Sequence, residues 1–307
     1  MTDKPTIGKY IDPMVDYGFK VIFKESGKKQ LIIRPLNEIF DLDIVDIEIV
    51  ESEQLGLTEE ERKASYDMHC KTLGGEEFII EVQLARQDYF MERAIFYSAL
   101  TVAHEAERGA WNYHLHPVFF LGFLNFDIRH LDPARADPSR FIHKFSLRED
   151  ETHEQMSPAL RFAFLEVARF DKQKDACLSF EDRFLYMMKN LPTFAEKPEL
   201  WDDPYFLEMM NEAEFANMTT EQRIAYAQAM KNKWDYQNTI NYARKEGREE
   251  GRAEGRAEGR AEGKAEGILE GKKEQSRETA RQMLAEGLPV ELVARCTKLT
   301  EEEIRTL

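Results

Sequence analysis

At 307 residues, with 42% hydrophobic and 33% charged side chains, the chain can bury one sizeable core and carry an appendage. A formal net charge of −16 excludes a protein that coats nucleic acid through general basicity, though a local basic rim or bound cations would still let an acidic body meet DNA. No apolar run approaches bilayer length, so no membrane partner is expected, and three scattered cysteines (Cys70, Cys177, Cys296) fit a reduced cytoplasmic protein.

In chain order, DPMVDYGFKVIFKES predicts a short helix, with Val15, Phe19, Ile22 and Phe23 on one face. LIIRPLNEIF predicts a second. The period then changes to two, and DIVDIEIVES, ASYDMHCKT and EEFIIEVQL are strand candidates. DYFMERAIFYSALTVAHEAER reads as a helix with Asp88 at its N-cap. PVFFLGFLNFDI is a continuous apolar run, as in a strand buried on both faces. Two further strand-like runs lie between Phe141 and Phe170, and helical patterns continue to about Tyr242.

From Gly247 to Gly271 a glycine recurs every fourth residue. Arg244 to Glu274 holds nine basic and nine acidic residues, so the charge excess lies in the body. Each glycine costs a helix about 1 kcal/mol against alanine, and like charges stand four apart, so this segment reads first as a linker. The sharper alternative is a helical stripe that a second helix approaches closely. After it, SRETARQMLAEGLPVELVARCTKLTEEEIRTL predicts two short helices about a turn at Gly287 and a third segment. These resemble a helix-turn-helix module, although Glu301, Glu302 and Glu303 argue against its reading a DNA groove. The domains expected are 1–242, 243–275 and 276–307.

The chemistry points to the middle strands. Alternation puts Tyr66, Met68 and Cys70 on one face and Asp67, His69 and Lys71 on the other; Phe78, Ile80 and Val82 oppose Glu77, Ile79, Glu81 and Gln83. Matching the apolar faces requires a three-residue loop, Leu73 to Gly75, with a glycine at positive φ, which sets Asp67 opposite Glu81. Two carboxylates directly opposed should repel, unless a divalent cation binds both. Spacing alone favours the plainer alternative of a solvated pair balanced by Lys71 or Arg86.

An acid on one strand, then acid-x-(Lys or Gln) on the next, within helix–three strands–helix–strand, resembles the PD-(D/E)xK nuclease superfamily. More narrowly, DPMVDYGFKVIF, the YD at Asp67, EVQ at Glu81 to Gln83 and FMERAIFYSALTV resemble the Rpn family of recombination-promoting nucleases and transposase-like proteins, over roughly residues 10 to 240. The resemblance implies an α/β, restriction-endonuclease-like core with extra strands and helices, then a helical or flexible tail. It implies a hydrolase that cuts DNA phosphodiesters with Mg²⁺, or Mn²⁺ in its place, in recombination or mobile-element activity.

Asp67 and Glu81 match the metal-binding acids, Asp16 matches the acid of the first helix, and the Val82 carbonyl completes the metal shell. Gln83 stands where the superfamily usually has lysine, so an amide would orient what an ammonium otherwise charges. Lys20, one turn after Asp16, could reach a phosphate. His69 shares the face of Asp67, and Arg93 follows on the next helix beside Tyr97; each could support the acids or touch DNA. His114-x-His116 has no further metal ligand nearby and reads as a loop feature. Two other readings stand beside the enzyme: an inactive DNA-binding or regulatory protein of the same fold, and a scaffold assembled through its tail. A homo-oligomer through either region is compatible with all three.

Overall fold

In a computed structural model of the chain, residues 8–50, 53–54, 64–105, 112–128, 137–199 and 201–307 are described. They form two compact units, Met1–Trp234 and Asp235–Leu307. Among these residues no helix is long and apolar enough to cross a membrane.

The first unit is built on a mixed sheet. Helix α1 (Asp16–Lys20) runs into a π-helical turn, Val21–Glu25, and α2 spans Gln30–Phe40. Strand β1 (Glu48–Val50) and the short β2 (Glu53–Gln54) and β3 (Ala64–Ser65) follow, then β4 (Met68–Lys71) and β5 (Glu77–Gln83). Helix α3 (Phe90–His104) leads to β6 (Val118–Leu124), β7 (Ile142–Arg148) and β8 (Gln155–Glu166). Helices α4 (Phe180–Asn190) and α5 (Pro204–Ala213) precede the long α6 (Thr220–Ala285). The six-stranded sheet has the order β1-β4-β5-β6-β8-β7, and β2 pairs with β3 separately. The expected α/β core of helix, three strands, helix, strand is present, with β7 and β8 as the additional strands.

Both faces of the sheet are covered, so β5 and β6 are buried along their whole length. One face packs Phe78, Ile80, Val82, Phe119 and Leu121 against Phe19, Ile22, Phe40 and Phe184. The other packs Ile79, Phe120 and Phe164 against Phe90, Ala94 and Leu100 of α3. The β4–β5 hairpin has the register that the apolar faces require: Lys71 opposes Glu77, Met68 opposes Ile80, and the Thr72 amide donates to the Glu76 carbonyl at 2.9 Å. Its loop holds Gly75 at φ +95°, a conformation that needs glycine.

Three expectations change. The run ASYDMHCKT is two strands, because the chain turns at Tyr66 and Asp67. Tyr66 leaves the face of Met68 and joins the α3 side, 5.2 Å from the Tyr97 ring. Asp88 does not cap α3: Tyr89 stands at the N-cap with φ 62° and no side-chain capping bond, and its carbonyl accepts from Arg93 N–H to close the first turn.

The glycine repeat, read first as a linker, lies within α6. Ion pairing does little for it; Lys245 and Glu249 at 4.0 Å are a pair at its start. The helix is instead held where its flanks pack, at Tyr226 before the repeat and Ala280 after it, and propagation from existing turns avoids a new nucleation.

In the second unit the end of α6 packs with α7 (Val290–Thr297) and α8 (Glu301–Arg305) around Ala280, Val293, Leu299 and Ile304. Gly287 turns between the first two at φ +83°, and Thr300 with Glu303 forms a capping box on the third.

Candidate active site

Three acids converge from three elements. Asp16 opens α1, Asp67 sits at the turn before β4, and Glu81 lies on β5. The turn at Asp67 has two effects. It takes Tyr66 out of the ladder opposite Val82, and it carries the Asp67 carboxylate to the vacated donor, so that Val82 N–H donates to Asp67 Oδ2 at 2.6 Å. Asp67 is half-buried, and its neighbour Asp16 opposes its ionisation. Asp16 is the more exposed and pairs with Lys20 at 2.8 Å.

Glu81 is 5% exposed. Its Oε2 accepts from Gln83 Nε2 at 3.0 Å, while its Oε1 is buried with no hydrogen-bond partner. Burial, and then the charge of Asp67, raise Glu81 far above the ordinary carboxylate range, against the opposing pull of Arg93 and Gln83. Burial, and then Asp16, raise Asp67 likewise, against the Val82 amide and Lys20. A fold selected only for stability would not bury two carboxylates together with one oxygen unpaired.

A divalent cation fits this donor set. Among the described residues no three His, Cys, Asp or Glu side chains stand as a ready ligand cage. In the acidic trio one oxygen of Asp67 is held by Val82 and one of Glu81 by Gln83, which leaves Glu81 Oε1 as the open position. Mg²⁺ takes few carboxylates and keeps several waters, so it needs no closed cage.

The other residues singled out in the sequence are placed unequally. Gln83 is buried against Glu81. Arg93 donates from Nη1 to Gln87 at 2.6 Å, while its buried Nε and Nη2 have no hydrogen-bond partner, and its charge reaches Glu81. His69 is turned along the strand to Glu77, Nε2 to Oε2 2.7 Å, and Lys71 binds the same acid. Burial would raise Glu77, but His69 and then Lys71 hold it below its usual value. This cluster lies two residues along the chain from Asp67 and four from Glu81. Arg86 pairs with Asp127, away from them. His116 stays in the loop before β6, with its N–H and ring near Glu105.

A family model for the PD-(D/E)XK nuclease family transposases matches residues 13–243, three-quarters of the chain and the whole of this arrangement. The chain belongs to that family. A second model, for the C-terminal helix-turn-helix domain of the Rpn/YhgA-like nuclease family, matches residues 273–307, the segment folded around Ala280 and Val293. No curated protein and no solved structure matches this member of the PD-(D/E)XK family.

One set of residues behind the site has no local signal in this nuclease-family sequence. Asp12, just before α1, receives Lys233 and accepts through Oδ1 from Met14 N–H at 2.8 Å; its own N–H donates to the Tyr226 hydroxyl at 2.8 Å. The start of α6 thereby fixes the segment from which Asp16 projects. The partners lie more than 200 positions apart, and spacing rules do not reach that far.

Proposed function

We propose that the chain is a metal-dependent DNA endonuclease that hydrolyses phosphodiester bonds, acting in the cytoplasm in recombination or mobile-element activity. The observation that carries this reading is a buried Glu81 with an unpaired oxygen beside Asp67, both above their ordinary pKa, in a chain of nuclease-family membership.

Asp67 and Glu81, with Asp16 and the Val82 carbonyl, would hold Mg²⁺, and Mn²⁺ in its place. When bound, the cation supplies Lewis acidity to the scissile phosphate and acidity to the attacking water. Gln83 cannot exchange a proton, so its role is to hold Glu81 in orientation and to hydrogen-bond a water or phosphate. Arg93, whose charge favours ionised Glu81, and Lys20, beside Asp16, would be the cations nearest the phosphate backbone. The body to residue 242 carries the chemistry in this reading, and the helix-turn-helix module at the C-terminal end adds DNA affinity.

The test is nicking of supercoiled plasmid by the purified full-length protein with Mg²⁺, Mn²⁺ or chelator. Nicking should require the metal and vanish in Asp67→Ala. Equal nicking by that variant, or in chelator, overturns the proposal.

A further inference from the structure

A second site, cationic where the first is acidic, lies at the far side of the sheet. A cleft of about 340 Å³ is lined by Lys144, Ser146, Arg148, Gln155 and Arg161 beside Phe40, with no carboxylate among its lining residues. Lys144 pairs with Ala163 and Ser146 with Arg161 across β7–β8, so these side chains share the face that Phe40 covers. The Arg161 guanidinium lies over the rings of Phe40 and Phe119, 5.6 and 5.4 Å from their centroids. Arg148 is oriented by the Ser146 hydroxyl at 2.9 Å and the His153 carbonyl at 2.7 Å.

The isolation of these cations is informative. The chain has 58 acidic and 42 basic side chains, yet among the described residues Lys144, Arg148 and Arg161 have no carboxylate within 4.0 Å. Asp41 acts on Arg161 only from further away. Burial, more than any neighbour, weakens the hold of Arg161 on its proton, as expected of a cation short of anionic partners. Three cations at one cleft, Arg161 held by aromatic rings and Arg148 by neutral acceptors, suit a ligand with several anionic oxygens and a fixed spacing.

We propose that this cleft binds backbone phosphates of DNA, outside the cleavage site. Arg161 lies in register with Phe119 and Phe78, two strands over and three residues down from Glu81. At about 4.8 Å per strand and about 3.3 Å per residue the two backbone positions stand roughly 14 Å apart within the sheet, and their side chains leave from opposite faces, so the cleft is distinct from the cleavage site. The identity of the ligand rests on the nuclease reading; the binding itself does not require cleavage.

The experiment uses full-length protein in chelator, a fluorescent 30-base-pair duplex, and anisotropy titrations over a series of salt concentrations. Lys144→Ala/Arg148→Ala should weaken binding about 5- to 10-fold at moderate salt and reduce the salt slope by about 2. Arg161→Met, which keeps the packing against Phe40, should act in the same direction. Lys197→Ala/Lys231→Ala removes the same charge from exposed positions elsewhere and should leave the slope unchanged. A slope unchanged in the cleft variants, or an equal fall in the control, overturns the proposal. So does stabilisation by inorganic phosphate that the cleft variant loses while its DNA slope stays at the wild-type value, because the cleft then takes small phosphates. Circular dichroism and urea midpoints of each variant separate lost binding from lost folding. Loss of nicking in Asp67→Ala, measured separately with Mg²⁺, tests the nuclease reading independently of this binding assay.

Discussion

The backbone N–H of Val82 donates to the carboxylate of Asp67 at the point where the β4–β5 ladder would otherwise continue. A side chain thus stands in for the carbonyl of the neighbouring strand. The same turn satisfies the donor and brings Asp67 up to Glu81, so the end of the hairpin and the acidic site are one feature.

The acids impose a pH dependence on the metal-free protein. Their folded-state pKa values are raised, so the stability they allow is fully present below the unfolded-state pKa, near about 4, and is lost as pH rises through the folded values. Without metal, the urea midpoint should fall as pH rises through the neutral range. Asp67→Asn should flatten that fall and stabilise the metal-free protein at pH 8 by about 1–3 kcal/mol. Because the cation competes with protons, Mg²⁺ or Mn²⁺ should raise Tm more at pH 8 than at pH 6, and not in the variant.

Gln83→Lys restores a positive charge next to Glu81. An ammonium there favours the ionised acid and offers a transferable proton, so nicking at saturating Mg²⁺ should rise by about 10-fold or more. Initial nicking rates of the two proteins at equal concentration check this; a slower variant argues that the amide is needed to orient Glu81.

Arg93→Gln removes the cation that favours ionised Glu81. The Glu81 pKa then rises further, and the acidic limb of the rate–pH profile should move to higher pH while DNA affinity falls. A drop in rate at every pH with no movement of that limb would assign Arg93 to DNA contact alone.

Gly18 sits under the Asp12 carbonyl: a β-carbon there would lie 2.1 Å from that oxygen. Gly18→Ala must therefore displace the segment leading to Asp16 and should cost about 3 kcal/mol or more. Lys233→Ala leaves the Asp12 carboxylate short of a cation in a buried setting and should cost about 2 kcal/mol. Urea denaturation of both variants measures these losses.

A β-carbon added at any of the repeat glycines from Gly247 to Gly271 would meet nothing within 4 Å. Changing Gly251, Gly255, Gly259 and Gly263 to alanine should add helicity and about 1 kcal/mol each to the helical state, read by circular dichroism of the full chain. If the stripe instead receives a second helix, the same change should lower the oligomer size seen by light scattering.

The sequence by itself determined most of the elements and the hairpin register, because alternation, glycine at the turn and apolar faces are local. From Lys71–Glu77 to Met68–Ile80, one register alone keeps Cys70 and Phe78 on the buried side. It also carried the family, since the spacing of Asp16, Asp67, Glu81 and Gln83 is a property of the chain. Only the tertiary structure decided the rest. Tyr66 changes face because α3 offers it Tyr97, His69 is taken by Glu77, and the glycine segment is helical because packing on either side holds it so. The electrostatics of Glu81 came from the same source: an outward-facing carboxylate and a buried one are spelled alike, and it is α3, covering the second face of the sheet, that removes the water.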